Sequence, residues 1–155
     1  MTLIPQKMVT KTLSAAAATT AGLVAYGAIA VALAAQNAVP AKSVWDAVYS
    51  QDQASRGRAK YAQLCGRCHE VDLTGSDQGP SLAGPEFLDR WNDRSVDDLA
   101  DRIRLTMPVE DIGSLNLQTS ADITAYLLQT NNFPAGQEEL KADRSAMKSL
   151  VIKRK

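Results

Sequence analysis

In the stretch LCGRCHEVD, Leu64 to Asp72, both cysteines of the 155-residue chain and its single histidine fall within five positions, Cys65-Gly66-Arg67-Cys68-His69. Two thiols three residues apart share one helical turn and an imidazole follows at once, so a group that engages one can engage all three. The segment behind them, residues 70–85, is rich in Gly, Asp, Ser and Pro. A loop of that length inside a small domain is uncommon unless it wraps around something.

The surrounding pattern is helical. Ser50 with Gln53 reads as a capping box, after which Ala54, Gly57, Tyr61, Leu64, Cys65 and Cys68 share one helical face. A second box, Ser95 with Asp98, precedes Val96, Leu99, Ala100, Ile103 and Met107 at steps of three and four. That helix should end near Met107-Pro108, because a residue before proline avoids the helical region. A third helix starts after Asn116, carries Ile123, Tyr126, Leu127 and Thr130, and stops at Asn131-Asn132-Phe133-Pro134. No run alternates with period two for long enough to be a strand.

The N-terminus has a different character. No charge occurs from Thr12 to Ala35, Lys7 and Lys11 precede this stretch, and Ala32-Leu33-Ala34 offers a small-x-small cleavage pattern. It reads as an export signal or, if retained, a membrane anchor. Either way the remainder is placed in the periplasm. Loss of residues 1–34 would leave 15 basic against 17 acidic residues, so no basic face for nucleic acid is implied. Lys153-Arg154-Lys155 reads as a solvated end.

Three chemistries compete for Cys65, Cys68 and His69. A redox dithiol normally sits between a strand and a helix, and here a helix leads in. Structural zinc takes four ligands, but the chain has no third cysteine and no second histidine. Covalent haem attachment asks for two sulfurs on one turn, reaching two vinyl groups, with an imidazole next in line for the iron. With an export signal ahead of it, this reading is preferred. A second axial ligand must then be a methionine, a lysine or water. Met1 and Met8 belong to the export segment and Met147 to the charged tail, which leaves Met107 as the candidate. A methionine on an apolar helical face is also ordinary core, but Met107 stands at a helix end before a loop able to curve around a flat ring.

From about Ser43 to Phe133 the sequence resembles class I c-type cytochromes. The resemblance rests on Cys65-Gly66-Arg67-Cys68-His69, on Gly79-Pro80-Ser81-Leu82-Ala83-Gly84, and on Thr106-Met107-Pro108, in that order. It implies an all-α cytochrome c fold, with three main helices and long loops wrapped around one covalent haem c, and with Gly57 and Tyr61 crossing Ile123 and Tyr126. The Pro80 carbonyl would accept the Nδ1–H of His69, and Leu82 would pack on the haem. Trp91 resembles an aromatic that donates to a haem propionate, although Phe87, Leu88 and Trp91 also have the spacing of a core stripe. Arg102 and Arg104 could neutralise propionates or lie solvated. The domain reading is 1–35 signal or anchor, 36–50 N-terminal extension, 51–134 cytochrome c domain and 135–155 tail.

A narrower resemblance, to cytochromes that accompany PQQ-dependent dehydrogenases, rests on Val44-Trp45-Asp46-Ala47-Val48-Tyr49-Ser50, Gln53-Ala54-Ser55-Arg56-Gly57, Ala83-Gly84-Pro85-Glu86-Phe87-Leu88 and Phe133-Pro134-Ala135-Gly136. Many of that group have glycine where Ala47 stands. The implied function is a periplasmic one-electron carrier, not an enzyme, taking electrons from a quinoprotein dehydrogenase and passing them towards an oxidase or another cytochrome. The alternatives are a fixed electron-transfer subunit of a membrane complex and a haem enzyme with a displaceable ligand. Docking is expected near Gly66, Arg67 and Val109 to Gly113, partly apolar and only modestly sensitive to salt.

Overall fold

The computed structural model describes residues 42–155, so the export segment 1–35 and its cleavage site lie outside the described residues. The described chain is mostly helical. It runs β1 Lys42–Ser43, a 3-10 turn Val44–Asp46, α1 Gln51–Leu64, α2 Gly66–His69, α3 Gly84–Trp91, α4 Val96–Thr106, α5 Leu117–Thr130, α6 Arg144–Lys148 and β2 Leu150–Val151.

The caps explain where the long helices begin. Ser95 and Asp98 form a complete box at α4, and Asn116 Oδ1 accepts from Thr119 N–H at α5. At α1 the box forms by half. Ser50 Oγ accepts from Gln53 N–H at 3.1 Å, but the Gln53 side chain turns inward to Asp122 and to both backbone groups of Leu140. A buried amide is satisfied more completely by that pairing than by a solvent-side return to the cap. α4 stops at Thr106, and Met107 is extended with φ −129° and ψ 152°, as the ring of Pro108 requires.

α5 is the central helix, buried on every side from Ser120 to Leu128. The apolar stripe 123, 126, 127, 130 therefore understates it. α1 crosses it at Gly57, where a Cβ would come within 1.9 Å of the Asp122 carbonyl oxygen, so only a hydrogen there allows the approach. One turn on, Tyr61 and Tyr126 pack with ring centroids 5.4 Å apart. Ala54 and Tyr61 are buried on this face, whereas Leu64 is exposed, because α1 ends there and the chain turns at Cys65.

The boundaries drawn at residues 50 and 135 do not separate structural units. Tyr49 is buried and donates to Phe133 O at 2.6 Å, Gly136 N–H donates to Tyr49 O at 2.7 Å, and β1 pairs with β2 in parallel. Leu140, Met147, Leu150 and Ile152 are all buried, so the charged tail is amphipathic and supplies part of the core. Arg144 ties α6 to Asp97 and Asp101 of α4. The basic end is also held: Trp45 Nε1 donates to Lys153 O at 2.7 Å, Lys155 Nζ sits 4.1 Å from the centroid of the Trp45 ring, and Arg154 pairs with Asp89. Among the described residues no helix is long and apolar enough to cross a membrane.

Candidate functional site

Hydrogen bonds to backbone groups shape the turn that carries the motif. Cys65 N–H closes α1 on Tyr61 O at 2.8 Å, and His69 N–H closes the next turn on Cys65 O at 3.0 Å. Tyr61 Oη, at the end of the α1 face, donates into the carbonyls of Glu70 at 2.7 Å and His69 at 3.2 Å. From the other side Ser76 Oγ donates to Cys68 O at 2.7 Å. Glu70 and Leu73 both take left-handed φ values, 60° and 65°. At Leu73 a positive φ costs a non-glycine residue about 1–2 kcal/mol, which burial of its side chain offsets, whereas Glu70, with ψ 150°, lies outside the left-handed helical region.

His69 is buried, and its ring is oriented by what it touches. Nδ1 lies 2.8 Å from Pro80 O. A carbonyl can only accept, so Nδ1 carries the hydrogen, and in the neutral ring that tautomer leaves the lone pair on Nε2. Gly79 passes directly beside the ring; a Cβ there would lie 2.9 Å from His69 Cε1 and Nδ1. The Gly-Pro pair of the 70–85 loop therefore supplies both the acceptor and the room.

Cys65, Cys68, His69, Pro80, Leu82, Trp91 and Met107, brought together from four separate stretches of the chain, line one cleft. Its walls are mostly apolar, with Leu99 and Ile103 from α4 and Ile123 and Leu127 from α5, and its empty space is about 960 Å³ with the open mouth included. An apolar cleft with a few polar groups converging on it suits an apolar guest. Burial, and then the neighbouring Cys68, push the Cys65 thiol up to about 11. The Cys65 sulfur is therefore presented without a thiolate being stabilised.

Trp91 is buried at the end of α3. It lines a second niche with Arg90, Arg94 and Arg102, with the Arg94 guanidinium 5.6 Å from the centroid of the Trp91 ring. Arg102 thus reaches the site, whereas Arg104 does not. Arg104 is drawn one turn back along α4 to Asp101 at 2.9 Å. Arg90 and Arg94 were missed in the sequence. The signal was their placement around Trp91, which is informative only once α3 is known to be a helix.

Among the described residues no three His, Cys, Asp or Glu side chains gather to hold a bare metal ion. The donors on the cleft instead suit a macrocycle that brings its own equatorial ligands. They comprise two thiols, one imidazole with a free Nε2, one thioether, and a cationic niche fit for carboxylates.

No family model and no curated protein matches the chain. Among solved structures, a chain of the sulfane dehydrogenase SoxCD from Paracoccus pantotrophus is similar over 69% of this chain and 61% of its own length, under two thirds of it. The identity is 22% and the TM-score 0.45.

Proposed function

We propose that this chain is an exported monohaem c-type cytochrome that carries single electrons. One observation carries the reading: Cys65, Cys68, His69 and Met107 converge on one apolar cleft, with His69 Nδ1 already engaged by Pro80 O at 2.8 Å. The Cys65 and Cys68 thiols would hold the group through two thioethers, and His69 Nε2 and the Met107 thioether would be donors to its iron. Arg90, Arg94, Arg102 and the Trp91 indole N–H would receive its carboxylates. Haem c, when bound, supplies a one-electron iron couple, and thioether ligation raises its potential.

The remaining parts of the mechanism belong to the protein. The Pro80 acceptor fixes the tautomer that leaves Nε2 as donor, and hydrogen bonding at Nδ1 raises the basicity of the ring. Tyr61 and Ser76 hold the backbone of the motif, so ligand positions depend little on the charge of the centre. With His69 Nε2 and the Met107 thioether both held by the group, oxygen, peroxide or substrate would have to displace one of them. The chain therefore moves electrons and catalyses no bond change alone.

The donor in this reading is a PQQ-dependent dehydrogenase, whose two-electron quinol discharges through one-electron steps, and the acceptor is an oxidase or another cytochrome. Mass spectrometry of the denatured chain, purified from cells equipped for haem ligation, is the test. One added haem mass that survives denaturation supports the reading, and an unmodified chain overturns it. Stopped-flow mixing with a substrate-reduced quinoprotein dehydrogenase tests the donor separately.

A further inference from the structure

We infer that Asn131 is a positioning residue of the haem site: its amide ties two walls of the cleft together and closes the seam between them to water. This rests on the electron-carrier reading above and adds a residue on which the potential of that centre depends. Asn131 is the first residue after α5 and is buried. Its side chain makes three hydrogen bonds: Nδ2 donates to Leu127 O at 2.8 Å and to Leu82 O at 3.0 Å, and Oδ1 accepts from Gly84 N–H at 2.9 Å. Two carbonyls on one side and an N–H on the other fix the orientation of the amide, because only Nδ2 can donate and only Oδ1 can accept. Leu82 and Leu127 both line the cleft, the first from the 70–85 loop and the second from α5. Gly84 opens α3, whose far end carries Arg90 and Trp91. Ala83, at the cap position of that helix, makes no side-chain bond, so Asn131 Oδ1 supplies from a distant part of the chain the acceptor that Ala83 lacks.

The loop wall depends on this tie. Bonds inside the loop, Ser76 N–H to Gly79 O at 2.8 Å and Leu82 N–H to Leu73 O at 2.9 Å, set its shape. Gly75 N–H and Ser76 Oγ, donating to the carbonyls of His69 and Cys68, set it on the motif turn. Asn131 sets it on α5. The wall is thin: Gln78, Gly79, Pro80 and Leu82 line the cleft, whereas Thr74, Ser76 and Asp77 of the same loop are exposed and lie outside the lining. Without the bonds from Asn131 the loop keeps its shape and its hold on the motif, but the join between Leu82 and Leu127 is free to part. The apolar shell of an iron centre governs how much water reaches it, and water stabilises the more highly charged state. Loss of the tie therefore lowers the reduction potential.

The test is voltammetry and Soret circular dichroism of the purified haem-loaded protein carrying Asn131→Leu, which is uncharged and close to Asn in size but makes none of the three bonds. The potential should fall, the Soret signal, which reads the asymmetry of the haem surroundings, should change, and amide exchange at Gly84 should quicken by about three- to ten-fold, the equivalent of one hydrogen bond. Gln53→Ala separates positioning from stability. Gln53 is also a buried amide paired with distant backbone, at Leu140, but it lies outside the cleft lining. Its loss should lower the urea midpoint and leave the potential and the Soret signal unchanged. Asn131→Ser, whose hydroxyl is too short to span Leu82 and Gly84, carries the same expectations should Asn131→Leu not fold. A potential equal to that of the parent in the Asn131 variant, or one that falls as far in Gln53→Ala, overturns the inference and leaves the haem reading standing. Protein purified without haem overturns both.

Discussion

Replacing Gly57 with Ala isolates the contact on which the two long helices close. The added Cβ would lie 1.9 Å from Asp122 O, 2.5 Å from Asp122 C and 3.0 Å from Tyr126 Cβ, whereas ordinary contact begins near 3.4 Å. The obstruction is backbone, so no rotamer change relieves it, and α1 and α5 must separate by about 1.5 Å at this point. A gap of even 0.5–1 Å forfeits a quarter to a half of the dispersion energy across it. Overpacking of this kind costs about 3 kcal/mol or more, against which Ala regains about 1 kcal/mol of helix propensity over Gly. The net expectation is a loss of about 2–3 kcal/mol and a fall in Tm of roughly 10 °C for a domain of this size. Urea unfolding followed by far-UV circular dichroism should show a lower midpoint at unchanged slope. Gly66→Ala is the control, because its Cβ would press only on the movable Val71 side chain at 3.2 Å and meet backbone no closer than 3.8 Å, ordinary contact. A Gly57→Ala protein within about 0.5 kcal/mol of the parent would refute the reasoning, since backbone helix–helix contact would then not be limiting.

Met147→Ala should cost about 2–5 kcal/mol, because the side chain is wholly buried, and leave the haem spectrum untouched. Met107→Ala should abolish the weak near-infrared band of a ferric iron–sulfur bond, lower the potential and admit cyanide; a spectrum that instead follows Met147 would move the axial assignment. Tyr61→Phe should cost about 0.5–1.5 kcal/mol by removing one of the two donors on Glu70 O, Leu73 N–H being the other, and should loosen the motif turn, seen as faster amide exchange at Leu73 and Gly75. Burial raises Tyr49 from 10.0 to about 12, so folding favours its neutral form. That contribution is complete below pH ~10 and is lost as the pH climbs through ~12. Tyr49→Phe should remove this component of alkaline unfolding, and an identical alkaline transition in the variant would rule out the assignment.

How far the sequence could be read depends on the range of each interaction. Ser95 with Asp98, Asn116, and Met107 before Pro108 act within four residues, so the starts of α4 and α5 and the end of α4 were legible. The half-formed box at Ser50 was not, because what draws Gln53 inward is Asp122 and Leu140, distant in sequence. The tail was misread for a related reason. Lys141, Arg144 and Lys148 dominate its composition, whereas the pattern that decides its fate is Leu140, Met147, Leu150 and Ile152, spaced across two short elements. In the site, adjacent residues identified the motif. Arg104 and Arg102, two apart on one helix, could be separated only by the geometry that gives Asp101 to one and the cleft to the other.

His69 is constrained from four directions, by its own motif turn, by α1 and by the 70–85 loop. Its amide bonds to Cys65 O, its carbonyl receives Gly75 N–H and Tyr61 Oη, its Nδ1 faces Pro80 O, and the missing Cβ of Gly79 leaves room for the ring. Any one of these could be met by a flexible loop. Together they require α1, which carries Tyr61, to lie against α5 closely enough that its end meets the 70–85 loop, and Gly57 permits that approach. The backbone fit between two helices is thus linked to the direction in which one imidazole nitrogen points. A donor held this way needs little rearrangement when the charge beside it changes by one, which is the property a one-electron carrier requires.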